Sequence, residues 1–164
     1  AMSRNMYFSS VLGCNLGMFY KRRDYTRVVN GRNPIVAHEY LGDSVEGKTV
    51  FIADDIIASG ESMLEVASNL KARGAGRIIA NATFPLFTSG LEKFDQAVAE
   101  GKLDYVVGTN LTYRQPELLT RDWYVDVDVS KYAAYFVVAL NHDMSVSSII
   151  DPIKKIEALL AKRK

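Results

Sequence analysis

With 164 residues, 48% of them apolar, and a formal net charge of +1, the chain has material for a compact domain with its own core and is not of the disordered class. Near neutrality excludes a global electrostatic footprint for nucleic acid or an anionic membrane; basic residues gather only locally, at 21–32 and 154–164. No apolar run approaches a membrane span and the opening residues lack the order of a signal peptide, so a cytoplasmic protein without membrane or nucleic-acid partners is expected. The single cysteine, Cys14, cannot close an internal disulfide and stands near Leu12 and Leu16. It is expected to be a small packing residue.

In chain order, residues 1–12 read as a helix already under way with no strand before it. That start leads to the expectation that an amino-terminal part of a larger protein precedes residue 1. Short runs rich in Val, Ile, Phe and Tyr predict strands at 16–20, 36–40, 49–53, 77–83, 105–109 and 123–126, alternating with helical patterns. Such alternation predicts strand–helix–strand units and an α/β sandwich around a mostly parallel sheet. Between the third and fourth strands, Met63, Leu64, Val66, Ala67 and Leu70 recur at helical spacing over 61–73, with Gly74 placed for a left-handed cap. Further helices are expected at 90–99, 132–141 and 151–163. The last opens with Asp151-Pro152, an N-cap followed by proline at the first helical position. Without repeats or a Gly/Pro/Ser-rich linker, one domain over 1–164 is the economical reading.

Chemistry concentrates in residues 50–62. A buried strand is predicted to end in the acid pair Asp54-Asp55, followed by Ser59-Gly60-Glu61-Ser62 opening a helix. A helix amino terminus offers unpaired N–H groups and a favourable dipole to a phosphate, and in open α/β sheets ligands sit beyond the carboxyl ends of the strands. Ser59 and Ser62 add hydroxyl donors, and Gly60 permits close backbone approach. Two adjacent carboxylates at a frayed strand end could accept hydrogen bonds from vicinal sugar hydroxyls or hold a magnesium ion through water. The competing reading is a plain strand end followed by a helix N-cap. Neither G-x-x-x-x-G-K-[ST] nor G-x-G-x-x-G occurs, which excludes a Walker or dinucleotide fingerprint. His38 and His142 stand apart from each other and from the acids, and Trp123, Tyr124, Tyr132 and Tyr135 read as core or oligomer packing.

Residues 50–62 resemble the phosphoribosyl-pyrophosphate motif of type I phosphoribosyltransferases and of the ribose-phosphate diphosphokinases that share their fold. Lys21-Arg22-Arg23 resembles the K-R-R that opens the catalytic loop of the diphosphokinases, and 24–34, with Asn30-Gly31, fits such a loop. Similar matches recur at Val45-Glu46-Gly47-Lys48 ("V-x-G-K"), 70–75 ("L-K-x-R-G-A"), Ala82-Thr83 with 87–90, and 106–110 ("V-V-x-T-N"). Ser145-Val146-Ser147 resembles a stretch lining a regulatory phosphate site in many members; a turn with local hydroxyl–backbone bonds is the alternative. Residues 1–4 resemble the helix after the family's "S-P-D-x-G-G" strand. Ala58, Glu61 and Phe84 depart from the family's Asp, Gly and His.

The resemblance implies a type I phosphoribosyltransferase-like three-layer sandwich and Mg2+-dependent transfer of diphosphate from ATP to ribose 5-phosphate, giving phosphoribosyl pyrophosphate and AMP. It assigns transition-state stabilisation to Lys21 and Arg23, and ribose 5-phosphate to Asp54, Asp55, Ser59, Gly60, Glu61 and Ser62. It further assigns a metal to Asp54 and Asp55, a regulatory phosphate to Ser145 and Ser147, and a homo-oligomer in which most of the ATP site lies outside this chain. The isolated chain is then expected to be inactive. Two rival readings are a nucleobase phosphoribosyltransferase and a non-catalytic regulatory subunit, the second favoured by Ala58 and Glu61.

Overall fold

The computed structural model describes residues 2–23 and 35–162, in two compact units, Met2–Ser44 and Val45–Lys164. The first holds helix α1 (Met2–Leu12) and the antiparallel ribbon of β1 (Met18–Arg23) and β2 (Ile35–Leu41). Its register runs from Met18 opposite Leu41 to Arg22 opposite Ala37, with an irregularity after Arg22. The Tyr40 ring packs on Phe19 at 5.2 Å between centroids and fills the space that a side chain on Gly17 would need.

Two expectations are corrected in this unit. Lys21, Arg22 and Arg23 do not follow the strand; their backbone is part of it, paired with β2. Backbone pairing rather than apolarity defines a strand. Cys14 is exposed rather than packed, because Gly13, with φ at 64°, turns the chain out of α1 just before it. The expected loop at 24–34 lies outside the described residues.

The second unit contains β3 (Thr49–Ile57), α2 (Glu61–Ala72), β4 (Arg77–Pro85), α3 (Glu92–Ala99), β5 (Tyr105–Thr109), a 3-10 turn (Leu118–Thr120) and β6 (Tyr124–Val127). Helices α4 (Ser130–Asn141), α5 (Ser147–Ile150) and α6 (Ile153–Ala161) follow. The four strands form a parallel sheet in chain order, β3-β4-β5-β6, flanked by helices as the α/β expectation requires. With that order, right-handed crossovers place α2 and α3 on one face. Burial follows: Ile78, Ala80, Ala82 and Val106 are fully buried, as are Ala67 of α2 and Phe94 of α3. Small residues on both sides, Ala67 and the alanines of β4, let α2 lie close to the sheet. On the opposite face Phe51 and Val125 remain exposed.

Gly74, at φ 83°, ends α2 as the left-handed cap expected, with Gly74 N–H donating to Lys71 O and Ala75 N–H to Leu70 O. The Asp151 carboxylate accepts from Ile153 N–H at 3.0 Å, and Pro152, expected at the first helical position, stands one place earlier as the N-cap of α6. Strand β3 is longer than expected. It runs four residues past Ala53, pairing Asp54 with Ala82, Ile56 with Phe84 and Ile57 with Pro85. The acid pair is therefore inside a strand and not at a frayed end. A strand at the edge of its sheet can hold carboxylates near its carboxyl end because solvent still reaches them.

Candidate functional site

Three hydrogen bonds fix the turn that leaves β3. Leu86 and Phe87 donate their N–H groups to Ile57 O (2.9 and 3.2 Å), and Thr88 N–H donates to Ala58 O (3.0 Å). The carbonyls at the end of β3 are thus consumed by the loop after β4. Gly60 then takes a left-handed conformation (φ 82°) and forms the N-cap of α2 without a side-chain capping bond. The first helical bond is Leu64 N–H to Gly60 O at 2.9 Å, so the amides of Glu61, Ser62 and Met63 precede the helical ladder and point out of the helix end. Ser59 Oγ reaches Glu61 N only at 3.5 Å, the outer limit of a hydrogen bond. A plain serine cap is therefore not what this turn forms.

Successive residues of a strand face opposite sides of the sheet. Asp54 lies on the side of Ala82, the face packed by α2, and is exposed, whereas Asp55 is half-buried on the other side. The Asp54 carboxylate accepts from Asp55 N–H at 2.8 Å, which fixes it over the backbone of its neighbour.

Helix α3 supports the turn through consecutive residues. The fully buried Phe94 ring lies where a side chain on Gly60 would be. It packs edge-on to Phe87 (4.9 Å) and stacks on Trp123 (5.8 Å). Lys93 Nζ meets Glu61 Oε1 at 2.6 Å. The lysine's hydrogen bond and charge hold the Glu61 carboxyl below the ordinary carboxylate range. Asp95 accepts from Trp123 Nε1 (2.7 Å) and pairs with Arg121 (Nε 2.9 Å), tying α3 to the approach of β6. None of these partners is predictable from sequence spacing, since Lys93 and Glu61 lie 32 residues apart.

Along the carboxyl edge of the sheet, Asn110 clamps the passage from β6 to α4. Its Nδ2 donates to Asp128 Oδ1 (2.7 Å) and Ser130 Oγ (2.9 Å), and its Oδ1 accepts from Val129 N–H (2.9 Å). Arg114 pairs with Asp126 beside them. Ser145 Oγ and Ser147 Oγ are 2.7 Å apart, and Ser147 N–H reaches Ser145 Oγ at 3.3 Å, the local bonding of a hydroxyl turn. Trp123 and Tyr124 join the core, whereas Tyr132 and Tyr135 are exposed and carry Lys155 and Lys131 over their rings. Among the described residues no three His, Cys, Asp or Glu side chains gather as a metal cluster. The backbone of Lys21 and Arg23 is placed in β1 of the other unit; their side chains are not among the described groups.

A model of the phosphoribosyl transferase domain family matches residues 2–110. The chain belongs to that family. The match runs from α1 through β5 and includes both the β1–β2 ribbon and the turn from β3 to α2. Within the phosphoribosyltransferase family, the chain is 36% identical over 110 residues to the ribose-phosphate pyrophosphokinase of Wolinella succinogenes, covering 66% of this chain and 32% of that enzyme. It is 39% identical over 64 residues to the orotate phosphoribosyltransferase of Oceanobacillus iheyensis, covering 39% of this chain and 30% of that one. The phosphoribosylpyrophosphate synthetase of Mycobacterium smegmatis superposes with a TM-score of 0.67 at 20% identity, covering 87% of this chain and 42% of that structure. The type I phosphoribosyltransferase-like fold and the resemblance to the diphosphokinase branch read from the sequence are thereby borne out. The chain spans about a third of the length of the Wolinella relative.

Proposed function

We propose that this chain supplies the ribose-5-phosphate site of a ribose-phosphate pyrophosphokinase, acting as one phosphoribosyltransferase-like domain over 1–164 of a larger enzyme. The observation that carries the reading is the turn from β3 to α2, where three amides leave a helix end that no side chain caps, just beyond two carboxylates. The amides of Glu61 to Met63, with the Ser59 and Ser62 hydroxyls, hold the 5-phosphate. Asp54 and Asp55 accept from the sugar hydroxyls. The anomeric oxygen attacks the β-phosphorus of ATP, the bond between the α,β-bridging oxygen and that phosphorus breaks, AMP departs, and the sugar's hydroxyl proton passes to solvent. Lys21 and Arg23 offset the charge that grows on the transferring diphosphoryl oxygens.

Because Asp54 and Asp55 face opposite sides of β3, one carboxylate at a time would hold a magnesium ion, a share suited to a cation that keeps most of its water. When bound, it neutralises phosphate charge. Ser145 and Ser147 are offered as the regulatory phosphate contacts. Self-association as a homo-oligomer is supported by exposed apolar side chains such as Val137 and Leu140 of α4. A cytoplasmic setting is part of the same reading; among the described residues no helix is long and apolar enough to cross a membrane.

The test is calorimetric titration of this chain with ribose 5-phosphate, with and without Asp54→Asn/Asp55→Asn. Binding that the double variant loses supports the reading; absence of binding sinks it. In the whole enzyme, a Lys21→Ala variant that still releases AMP at the parent rate removes the role given to Lys21. The match to orotate phosphoribosyltransferase favours a second reading, transfer to a nucleobase. Consumption of phosphoribosyl pyrophosphate in the presence of a free base, without AMP formation from ATP, would select it.

A further inference from the structure

The residue at position 61 poses an electrostatic problem for the site just proposed, and α3 contains an answer. A carboxylate on the first residue of α2 stands next to the amides that would hold a phosphate dianion, and like charges at such range oppose binding. The Glu61 side chain, however, is engaged by α3. It lies in the groove between α2 and α3 with Leu64 and Ser68, one and two turns further along the same helix face. There Lys93 Nζ bonds it at 2.6 Å.

Lys93 is placed for this by its neighbour. Phe94 is fully buried against Gly60 and anchors the first turn of α3 to the turn from β3 to α2. Two consecutive residues of α3 thus act on two consecutive residues of the phosphate turn, one by shape and one by charge.

We propose that Lys93 is a positioning residue of the phosphate site, holding the Glu61 carboxylate aside and neutralised so that the α2 amides remain open to a sugar 5-phosphate. The inference rests on the functional reading above. It explains how a chain with Glu where the motif has glycine keeps a workable anion site, and it assigns a role to a residue outside the motif.

A double-variant cycle tests it, with ribose 5-phosphate as the probe and calorimetry as the readout. Lys93→Ala is expected to weaken binding about fivefold or more, while in a Glu61→Gln background the same change alters affinity by less than about twofold, because the charge that Lys93 manages is gone. Lys93→Arg restores binding. Lys93 is half exposed, and an unchanged thermal midpoint in Lys93→Ala separates the charge effect from damage to the fold. A parent-like affinity in Lys93→Ala overturns the proposal, as does a loss that persists unchanged with Glu61→Gln. If the parent binds no ribose 5-phosphate, the functional reading falls and this proposal with it; if it binds and Asp54→Asn/Asp55→Asn abolishes binding while the cycle shows no coupling, this proposal alone falls.

Discussion

The Phe94 ring occupies the space that a side chain on Gly60 would need, so a fully buried aromatic and a left-handed turn residue are fitted to one another. Gly60→Ala meets two penalties together. An L-residue at φ 82° costs about 1–2 kcal/mol, and driving a methyl into a packed ring adds about 1–3 kcal/mol. A fall in the urea midpoint with an unchanged slope is expected, and ribose-5-phosphate binding should fall beyond detection. Wild-type stability in Gly60→Ala would contradict the packing described.

Asp95 joins α3 to the approach of β6 through Trp123 and Arg121. Asp95→Ala leaves a buried indole N–H without its acceptor and a partly exposed guanidinium without its anion. The expected loss is about 1–3 kcal/mol, kept modest by solvent around the ion pair. Trp123 is the only tryptophan, so its emission reports the event directly. A red shift in Asp95→Ala, smaller in Asp95→Asn, is the outcome to look for.

The Tyr124 hydroxyl is buried and has no hydrogen-bond partner among the described residues. Burial, reinforced by the Asp126 carboxylate and opposed by Arg114, pushes its phenol up to about 12 from an ordinary 10.0. The folded state therefore retains a proton that the unfolded state has lost. The associated stability is present below pH 10.0 and disappears as pH rises through about 12. Tyr124→Phe removes this dependence, so its denaturation midpoint should vary less than the parent's between about pH 9 and 11. At neutral pH the substitution is expected to be neutral or mildly stabilising, since an unpaired hydroxyl is removed.

Asp128 shows the opposite sign. Hydrogen bonds from the Ser130 hydroxyl and amide and from Asn110 hold its carboxyl below the ordinary 3.8. Its contribution is present above 3.8 and is lost as pH falls through the lowered value. The parent should exceed Asp128→Asn in denaturation midpoint at neutral pH, and the gap should close under acid. A constant gap would show that the bonds matter through shape rather than charge.

Much of the arrangement was legible because its signals are local. Helix α2 follows from apolar residues at helical spacing with Gly74 beyond them, β5 lies where its apolar run lies, and the acid pair with the Ser-Gly-Glu-Ser turn beyond it is read from one short segment. Strand ends were less legible. The apolar run at 49–53 predicts a strand that ends at the acid pair, yet pairing of Ile56 with Phe84 and Ile57 with Pro85 carries the strand past it. Lys21 to Arg23 were misplaced for the same reason: a strand is defined by its partner's backbone, which one segment does not disclose. Cys14 looked packed by its apolar neighbours and is exposed, since burial depends on where the chain turns next.

What the sequence by itself determined was the order of strands and helices, the turn with a glycine and two hydroxyls beyond an acid pair, and the family to which that turn belongs. All of these depend on residues within a few positions of one another. Only the tertiary structure decided that the acids face opposite sides of β3, that Phe94 fills the space over Gly60, and that Lys93 takes the Glu61 carboxylate. The last two require α3 to be laid beside α2 on one face of the sheet. Side chains some thirty residues apart meet only when the crossovers have fixed which helices are neighbours.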